Sequence, residues 1–145
     1  MKMTVRYLCI NPNADLPKLA PSPPFKVIVL ADHAVTPEWQ DKVSNHLVDA
    51  GCLYMMAWGV DCSAWDDALD WANIMKFIGE EIPEDKFLIT TWHDDETVDE
   101  VLYFCKFIAK HPTVDLNSVL IFHISQQDVS EDLLARYETL SSEAG

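Results

Sequence analysis

Four apolar runs typical of β-strands alternate with segments of helical periodicity, and this alternation limits the chain to a few folds. The strand-like runs are residues 26–31, 52–58, 86–92 and 118–124, and the helical patterns are 36–50, 64–78, 98–110 and 129–141. Strands that alternate with helices of this length pair in parallel through right-handed crossovers. The sequence therefore predicts an α/β fold, a three-layer sandwich around a mainly parallel sheet of four to five strands, with a flavodoxin-like or Rossmann-like outline.

Local signals mark where three of the helices begin. Thr36 precedes a proline and provides an N-cap, and Thr97 with Glu100 has the spacing of a capping box. Ser63 with Asp66 has the same spacing, with Asp in place of the usual Glu. We therefore expect the second helix to start at residue 64, capped by Ser63.

The N-terminal part of the chain does not follow the alternation. Residues 3–10 alternate weakly between apolar and polar side chains, which predicts a strand at an edge of the sheet. Residues 11–25 contain five prolines, which exclude a helix or a central strand. We predict one domain over residues 1–145, in which 11–25 is an extended connector laid over the surface.

The charge balance is strongly acidic. The chain has 24 Asp and Glu against 10 Lys and Arg, a formal net charge of −14, and residues 61–100 contain 13 of the acids but only two lysines. Such a surface repels phosphate backbones and anionic lipids, so we expect neither nucleic acid nor a membrane as partner. A basic protein is the natural counterpart of this surface.

Composition also suggests the compartment. No apolar stretch approaches the roughly 18 residues of a membrane span, and the N-terminal residues lack the pattern of a secretion signal. Three of the four cysteines, Cys9, Cys52 and Cys105, lie inside apolar runs and are expected to be buried thiols. These features predict a cytoplasmic protein.

Each strand-like run ends in a cluster of polar residues, and parallel strands bring such clusters to one edge of the sheet. In open α/β sheets ligands bind at that edge. The candidate catalytic residues there are His33, Asp61, Cys62, His93 and His123. The three histidines are also the candidate metal ligands, although no local motif supports a metal site. This reading predicts a small hydrolase, with or without a metal ion.

No cofactor is predicted from the motifs. The four glycines form neither the dinucleotide-binding nor the P-loop pattern, and the loop at residues 31–36 contains no glycine and no cation. The chain also lacks the paired acids after the first strand and the lysine after the last strand that a phospho-acceptor receiver domain needs. Phosphate-directed chemistry at the first loop is therefore not expected.

The reading that we favour is an interaction protein, an inhibitor or immunity-type module that binds a basic partner. An aromatic anchor inside an acidic rim is typical of protein interfaces. The candidate partner-binding residues are Trp65, Asp66, Asp67, Asp70, Trp71, Asp94, Asp95 and Glu96. Under this reading the protein is not an enzyme. The sequence leaves homodimerisation open.

Overall fold

The computed structural model describes residues 3–19 and 23–141 of the chain. Its strands are β1 (Thr4–Ile10), β2 (Phe25–Ala31), β3 (Cys52–Gly59), β4 (Ile89–Trp92) and β5 (Ser118–Ile124). Its helices are α1 (Pro37–Ala50), α2 (Cys62–Lys76), α3 (Val98–Tyr103) and α4 (Ser130–Thr139). A 3-10 turn covers Glu84–Lys86, and a π-helical turn, Phe104–Ile108, directly follows α3.

All these strands are parallel and form one sheet in the order β1-β5-β2-β3-β4. The last strand of the chain, β5, is inserted between β1 and β2. Counted from β2, the series β4-β3-β2-β5 has the order 3-2-1-4 found in Rossmann-type sheets. The structure confirms the predicted parallel α/β fold, and the strand order corresponds to the Rossmann-like outline.

Two hydrophobic cores separate the three layers. Along β2, Val27 and Val29 face α1 and α2, whereas Ile28 and Leu30 face α3 and α4. Both sets are almost completely buried, which explains why this strand is a continuous apolar run in the sequence. Because successive strand side chains point to opposite faces, the register decides which polar residues at the strand ends share a face.

The proline-rich connector replaces a helix in the crossover from β1 to β2. It lies over α1, where the Trp39 indole Nε1 donates a hydrogen bond to the Ala14 carbonyl at 2.7 Å. The Asn13 side chain accepts a hydrogen bond from the Thr36 backbone, and Leu16 and Leu19 pack against the core. Residues 20–22 of the connector lie outside the described residues.

Three elements differ most from their predicted bounds, and one of them is β4, which begins at Ile89 and not at residue 86. α2 begins at Cys62, and its N-cap Asp61 has a left-handed φ of 55° with no side-chain capping bond, so the Ser63–Asp66 capping box predicted above was wrong. The regular part of α3 ends at Tyr103, because the chain widens into the π-helical turn before residue 110. The capping signals at Thr36 and Thr97 are confirmed.

Within residues 3–19 and 23–141, no helix is both long enough and apolar enough to cross a bilayer.

Candidate functional site

Polar side chains from the strand ends form two separate groups along the carboxyl edge of the sheet. The first lies where β1, β5 and β2 are neighbours, and we call it the Asp32 cluster: Tyr7, His123 and Asp32. The second lies beside β3 and β4, and we call it the His93 cluster: Thr91, His93 and Glu96. The strand order places these groups on opposite sides of the centre of the sheet.

The Asp32 cluster is a continuous hydrogen-bonded chain. Nε2 of His123 lies 2.9 Å from the Asp32 carboxylate, and Nδ1 lies 2.7 Å from the Tyr7 hydroxyl. The Tyr7 oxygen accepts a further hydrogen bond from the Val129 backbone N–H at 3.2 Å. His123 is buried, whereas the Asp32 side chain is 37% exposed. The cluster therefore links a buried imidazole to a carboxylate that solvent can reach.

The Asp32 cluster borders a cleft of about 190 Å³ between the sheet and α4. Its apolar walls include Leu30, Trp58 and Leu133, and its polar side includes Ser125 and Arg136. The chain leaves β2 toward α1 on one face of the sheet and leaves β5 toward α4 on the other. Such a reversal is the position at which ligands bind in open α/β sheets.

The His93 cluster fixes the loop between β4 and α3. The His93 Nδ1–H donates to the Glu96 carboxylate at 2.7 Å, and Nε2 accepts from the Thr91 hydroxyl at 2.9 Å. The ring also packs edge-on against Phe104, with centroids 4.7 Å apart. The Trp58 indole N–H donates to the Glu96 backbone carbonyl at 2.7 Å. Both nitrogens of this buried imidazole are therefore engaged in holding the loop.

The cysteine among the catalytic candidates lies in an unfavourable environment for a nucleophile. Cys62 occupies the first position of α2 and is buried. Burial raises the pKa of the Cys62 thiol, and the nearby Asp94 carboxylate raises it further. Asp61, the N-cap beside it, is exposed. The Cys62 side chain is therefore a protonated thiol at neutral pH.

The structure does not bring the three candidate histidines together. His93 follows β4 and His123 lies on β5, three strand spacings apart, which corresponds to about 14 Å. His33 is exposed on the loop after β2. In the described part of the chain, no three His, Cys, Asp or Glu side chains converge as a metal-binding group. These positions therefore do not form one shared metal centre.

The solvent side of α2 carries a row of large apolar side chains, which we call the α2 stripe: Trp71, Ile74, Met75 and Ile78. Their exposures are 62%, 41%, 44% and 70%. The spacing i, i+3, i+4, i+7 places them on one face, with Ile78 in the turn after the helix. Asp67 and Asp70 are exposed on the same helix. The outer face of α2 is therefore an apolar row with acidic neighbours.

The other candidate partner-binding residues are divided between core and surface. Trp65 is buried and packs edge-on against Trp39, with centroids 6.3 Å apart. Asp66 is also buried, beside Thr90 of β4. Neither side chain is presented to a partner. Asp94 and Asp95 are exposed near the start of α2, and Glu96 is half-buried in the His93 cluster.

Sequence reasoning missed two residues that the site contains. Tyr7 belongs to a weakly alternating N-terminal strand, and its contact with His123 depends on β5 pairing with β1. Arg136 lies on α4, where it bonds Asp99 at 2.9 Å and Asp132 at 3.4 Å. No local pattern marks Tyr7. The i,i+4 spacing of Asp132 and Arg136 indicates only a pair on the helix surface, because the contact with Asp99 joins distant segments.

The fold and the strand-end cleft define the class of this protein as a parallel, doubly wound α/β domain of Rossmann-like strand order. The chain belongs to the family described as Domain of unknown function (DUF7684), which it matches over residues 5–140. No curated protein matches the chain. No solved structure matches it either.

Proposed function

We propose that this protein is a protein-binding module that captures a basic partner on the outer face of α2. The α2 stripe carries the proposal, because large apolar side chains exposed together on one helix face mark interaction surfaces. Trp71 is suited to be the anchor, since tryptophan is enriched among the residues that dominate binding energy. The inner face of the same helix, with Trp65 and Leu69, already fills the core.

The charge around the α2 stripe indicates a basic partner. Asp67 and Asp70 lie on the helix, Asp94 and Asp95 near its start, and all four are exposed. The lysine of the last helical turn, Lys76, is paired with Asp49 at 3.4 Å. Complementary charge speeds association and selects among partners. An inhibitor or immunity-type role against a basic protein fits this surface.

A second copy of the chain is a less suitable occupant of the α2 stripe. A symmetric dimer places the same surface of both copies face to face. Asp67 and Asp70 of one copy would then lie close to acidic residues of the other, and juxtaposed like charges weaken such a complex. All four cysteines are free thiols, which supports the cytoplasm as the place where the partner is met.

The hydrolase alternative is less well supported by the geometry. His93 and His123 each have both ring nitrogens engaged in hydrogen bonds. Cys62 has a raised thiol pKa. None of these three side chains presents a free base or a thiolate nucleophile to solvent.

Quantitative affinity capture from a lysate of the natural source tests the proposed function. The supporting result is a basic protein that the wild type retains and that Trp71→Ser with Ile78→Ser releases. Asp67→Lys with Asp70→Lys should release the same protein. Binding of the purified pair should weaken as salt is added, because charge attraction is screened.

The matched control reverses two acids on the opposite layer of the molecule. Glu131→Lys with Glu138→Lys changes two exposed charges on α4 and should leave capture intact. Loss of capture in this control would show that capture depends only on the net charge of the protein, and this result would contradict the proposal. A dimer in solution that dissociates on Trp71→Ser would contradict it as well, because the stripe would then be covered by a second copy.

A further inference from the structure

The cleft at the strand reversal has a defined direction of hydrogen bonding. The Val129 backbone N–H can only donate, so the Tyr7 oxygen accepts from it and the Tyr7 hydroxyl proton is available to His123. Burial raises the pKa of Tyr7 to about 12, so the hydroxyl keeps its proton. His123 Nδ1 then accepts, and the Nε2–H donates to Asp32. This arrangement provides every donor of the Asp32 cluster with an acceptor.

The consequence is that Asp32 faces the cleft as a carboxylate with unused acceptor sites. A carboxylate has about four lone-pair positions, and the described contact with His123 uses one of them. Because the Nε2–H holds one oxygen of the carboxylate in place, a ligand in the cleft meets a preorganised acceptor. Its natural complement is a group that donates hydrogen bonds.

The other charges at the cleft favour a cation. Two carboxylates, Asp32 and Asp132, line the cleft with one guanidinium, that of Arg136. Arg136 is paired with Asp132 and with Asp99, which lies outside the lining, so its positive charge is already matched and Asp32 is not. Trp58 adds an aromatic wall, and aromatic faces attract ammonium and guanidinium groups. The loop after β2 has no glycine and no cation, so it offers a phosphate neither a backbone cradle nor a positive charge, and the Arg136 guanidinium is already paired with two aspartates.

We propose that this cleft binds a small organic cation, an alkylammonium or alkylguanidinium group, with Asp32 as its counter-ion. The volume of about 190 Å³ lies below the roughly 300–1,000 Å³ of pockets for drug-sized ligands, and suits a group the size of an amino-acid side chain. The source is a free amine or a basic side chain of a peptide. The proposal does not rest on the α2 stripe, because the cleft opens on the α4 side of the sheet.

Titration of the ¹⁵N-labelled chain with n-butylammonium and n-butylguanidinium tests this assignment, with n-butanol as the neutral isostere of the ammonium. The cations should shift the backbone amide signals of Ser125 and Gln127 and bind about tenfold more tightly than n-butanol. Asp32→Asn should lower cation affinity by about tenfold. Asp115→Asn, at the opposite edge of the sheet, should leave it unchanged.

The peptide acetyl-Ala-Lys-Ala-amide is used in a second titration, which distinguishes the two sources of the cation. Binding equal to n-butylammonium indicates a side-chain ligand, and exclusion of the peptide indicates a free amine.

Two results would overturn the proposal. Equal binding of n-butylammonium and n-butanol would show that the cleft does not recognise charge. An equal loss in Asp32→Asn and Asp115→Asn would show attraction by the acidic surface as a whole. Because Asp32 is exposed on a loop, Asp32→Asn should remain folded, as its backbone amide spectrum would show.

Tyr7 is a positioning residue in this proposal, and a separate readout tests it. Tyr7→Phe removes the hydroxyl that donates to His123 Nδ1 but leaves Asp32 in place. Long-range ¹H–¹⁵N spectra should show His123 as the Nε2–H tautomer in the wild type and as a mixture in the variant. Cation affinity should fall by less than in Asp32→Asn. An unchanged tautomer in Tyr7→Phe would refute the hydrogen-bonding direction assigned above.

Discussion

Gly59 fixes how the ends of β2 and β3 meet. Its φ is 99°, and a Cβ at this position would overlap the carbonyl oxygen of Ala31. The same oxygen accepts a hydrogen bond from the Val60 backbone N–H at 2.8 Å. The loop that leads to Asp61 and α2 is therefore held against the loop that carries Asp32. Only glycine satisfies both the backbone angle and the close approach.

The first prediction is that Gly59→Ala destabilises the protein far more than Gly79→Ala. Gly79 also has a positive φ, but a Cβ there would meet nothing within 4 Å, so it isolates the backbone cost. We expect a loss in the free energy of unfolding of about 1 kcal/mol for Gly79→Ala and about 3 kcal/mol or more for Gly59→Ala. Urea unfolding measures both, and equal losses would show that the approach to Ala31 is unimportant.

Asp66 is a second residue whose environment has an energetic consequence. Its side chain is buried between α2 and β4, and its Oδ2 has no hydrogen-bond partner. Burial raises the pKa of this carboxyl. The folded state therefore holds the Asp66 proton more tightly than the unfolded state does. Burial of the Asp66 charge therefore lowers the free energy of unfolding. The full loss applies at pH values above the pKa of the folded state, and it disappears as the pH falls toward the pKa of the unfolded state.

The second prediction follows from that linkage. Asp66→Asn removes the buried charge and should raise the free energy of unfolding at pH 7 by about 1 kcal/mol. The advantage over the wild type should shrink as pH is lowered toward 4, because wild-type Asp66 then becomes protonated. Asp67→Asn, on the exposed side, should show no such dependence. A variant that is less stable than the wild type at pH 7 would indicate an essential acceptor at Asp66.

At the scale of elements, lysine amines complete the ends of two helical segments. The Lys26 ammonium donates to the carbonyls of Cys105 at 2.6 Å and Ala109 at 3.0 Å, at the end of the π-helical turn. The Lys106 ammonium donates to the carbonyls of Tyr137, Glu138 and Leu140 at the end of α4. Cations at a helix C-terminus satisfy carbonyls that lack intrahelical partners. Both helices that cover the α4 side are therefore closed by a side chain from another element.

The third prediction concerns the buried member of this pair. Lys26→Met keeps much of the volume but leaves the Cys105 and Ala109 carbonyls without the ammonium. We expect the free energy of unfolding to fall by about 2 kcal/mol, because buried carbonyls that lose a partner retain their desolvation cost. Lys110→Met, an exposed lysine next to the same turn, should change it little. Hydrogen exchange should accelerate at residues 104–109 in Lys26→Met only. Unchanged exchange there would contradict the capping role.

The elements also show where sequence reasoning works and where it stops. Thr36 and Thr97 mark helix starts by local hydrogen bonds, so their signals can be read directly. The start of α2 depends on the left-handed Asp61, which follows the glycine packed on Ala31, and that contact lies between distant segments. The Asp32 cluster depends on β5 entering between β1 and β2. Parallel strands could be predicted from alternation, but their order could not.

At the scale of the whole molecule, the surface is strongly acidic because several lysine and arginine side chains are engaged in contacts within the fold. Lys26 and Lys106 are bound to backbone carbonyls, and Lys76 and Arg136 are paired with aspartates. The net charge of −14 is therefore carried by exposed acids that repel one another. Such repulsion lowers stability, and a partner of opposite charge relieves it.

The fourth prediction joins this stability cost to the proposed binding face. Asp67→Lys with Asp70→Lys should be more stable than the wild type at low salt, by about 0.5–1 kcal/mol, because it reduces like-charge repulsion around α2. The difference should close between about 10 mM and 500 mM NaCl, since the screening length falls from about 30 Å to about 4 Å. Urea unfolding at the two salt concentrations measures it. A variant less stable than the wild type at low salt would mean that these acids support the fold. A more stable variant that no longer captures the basic partner would instead show acids that favour binding at the expense of stability.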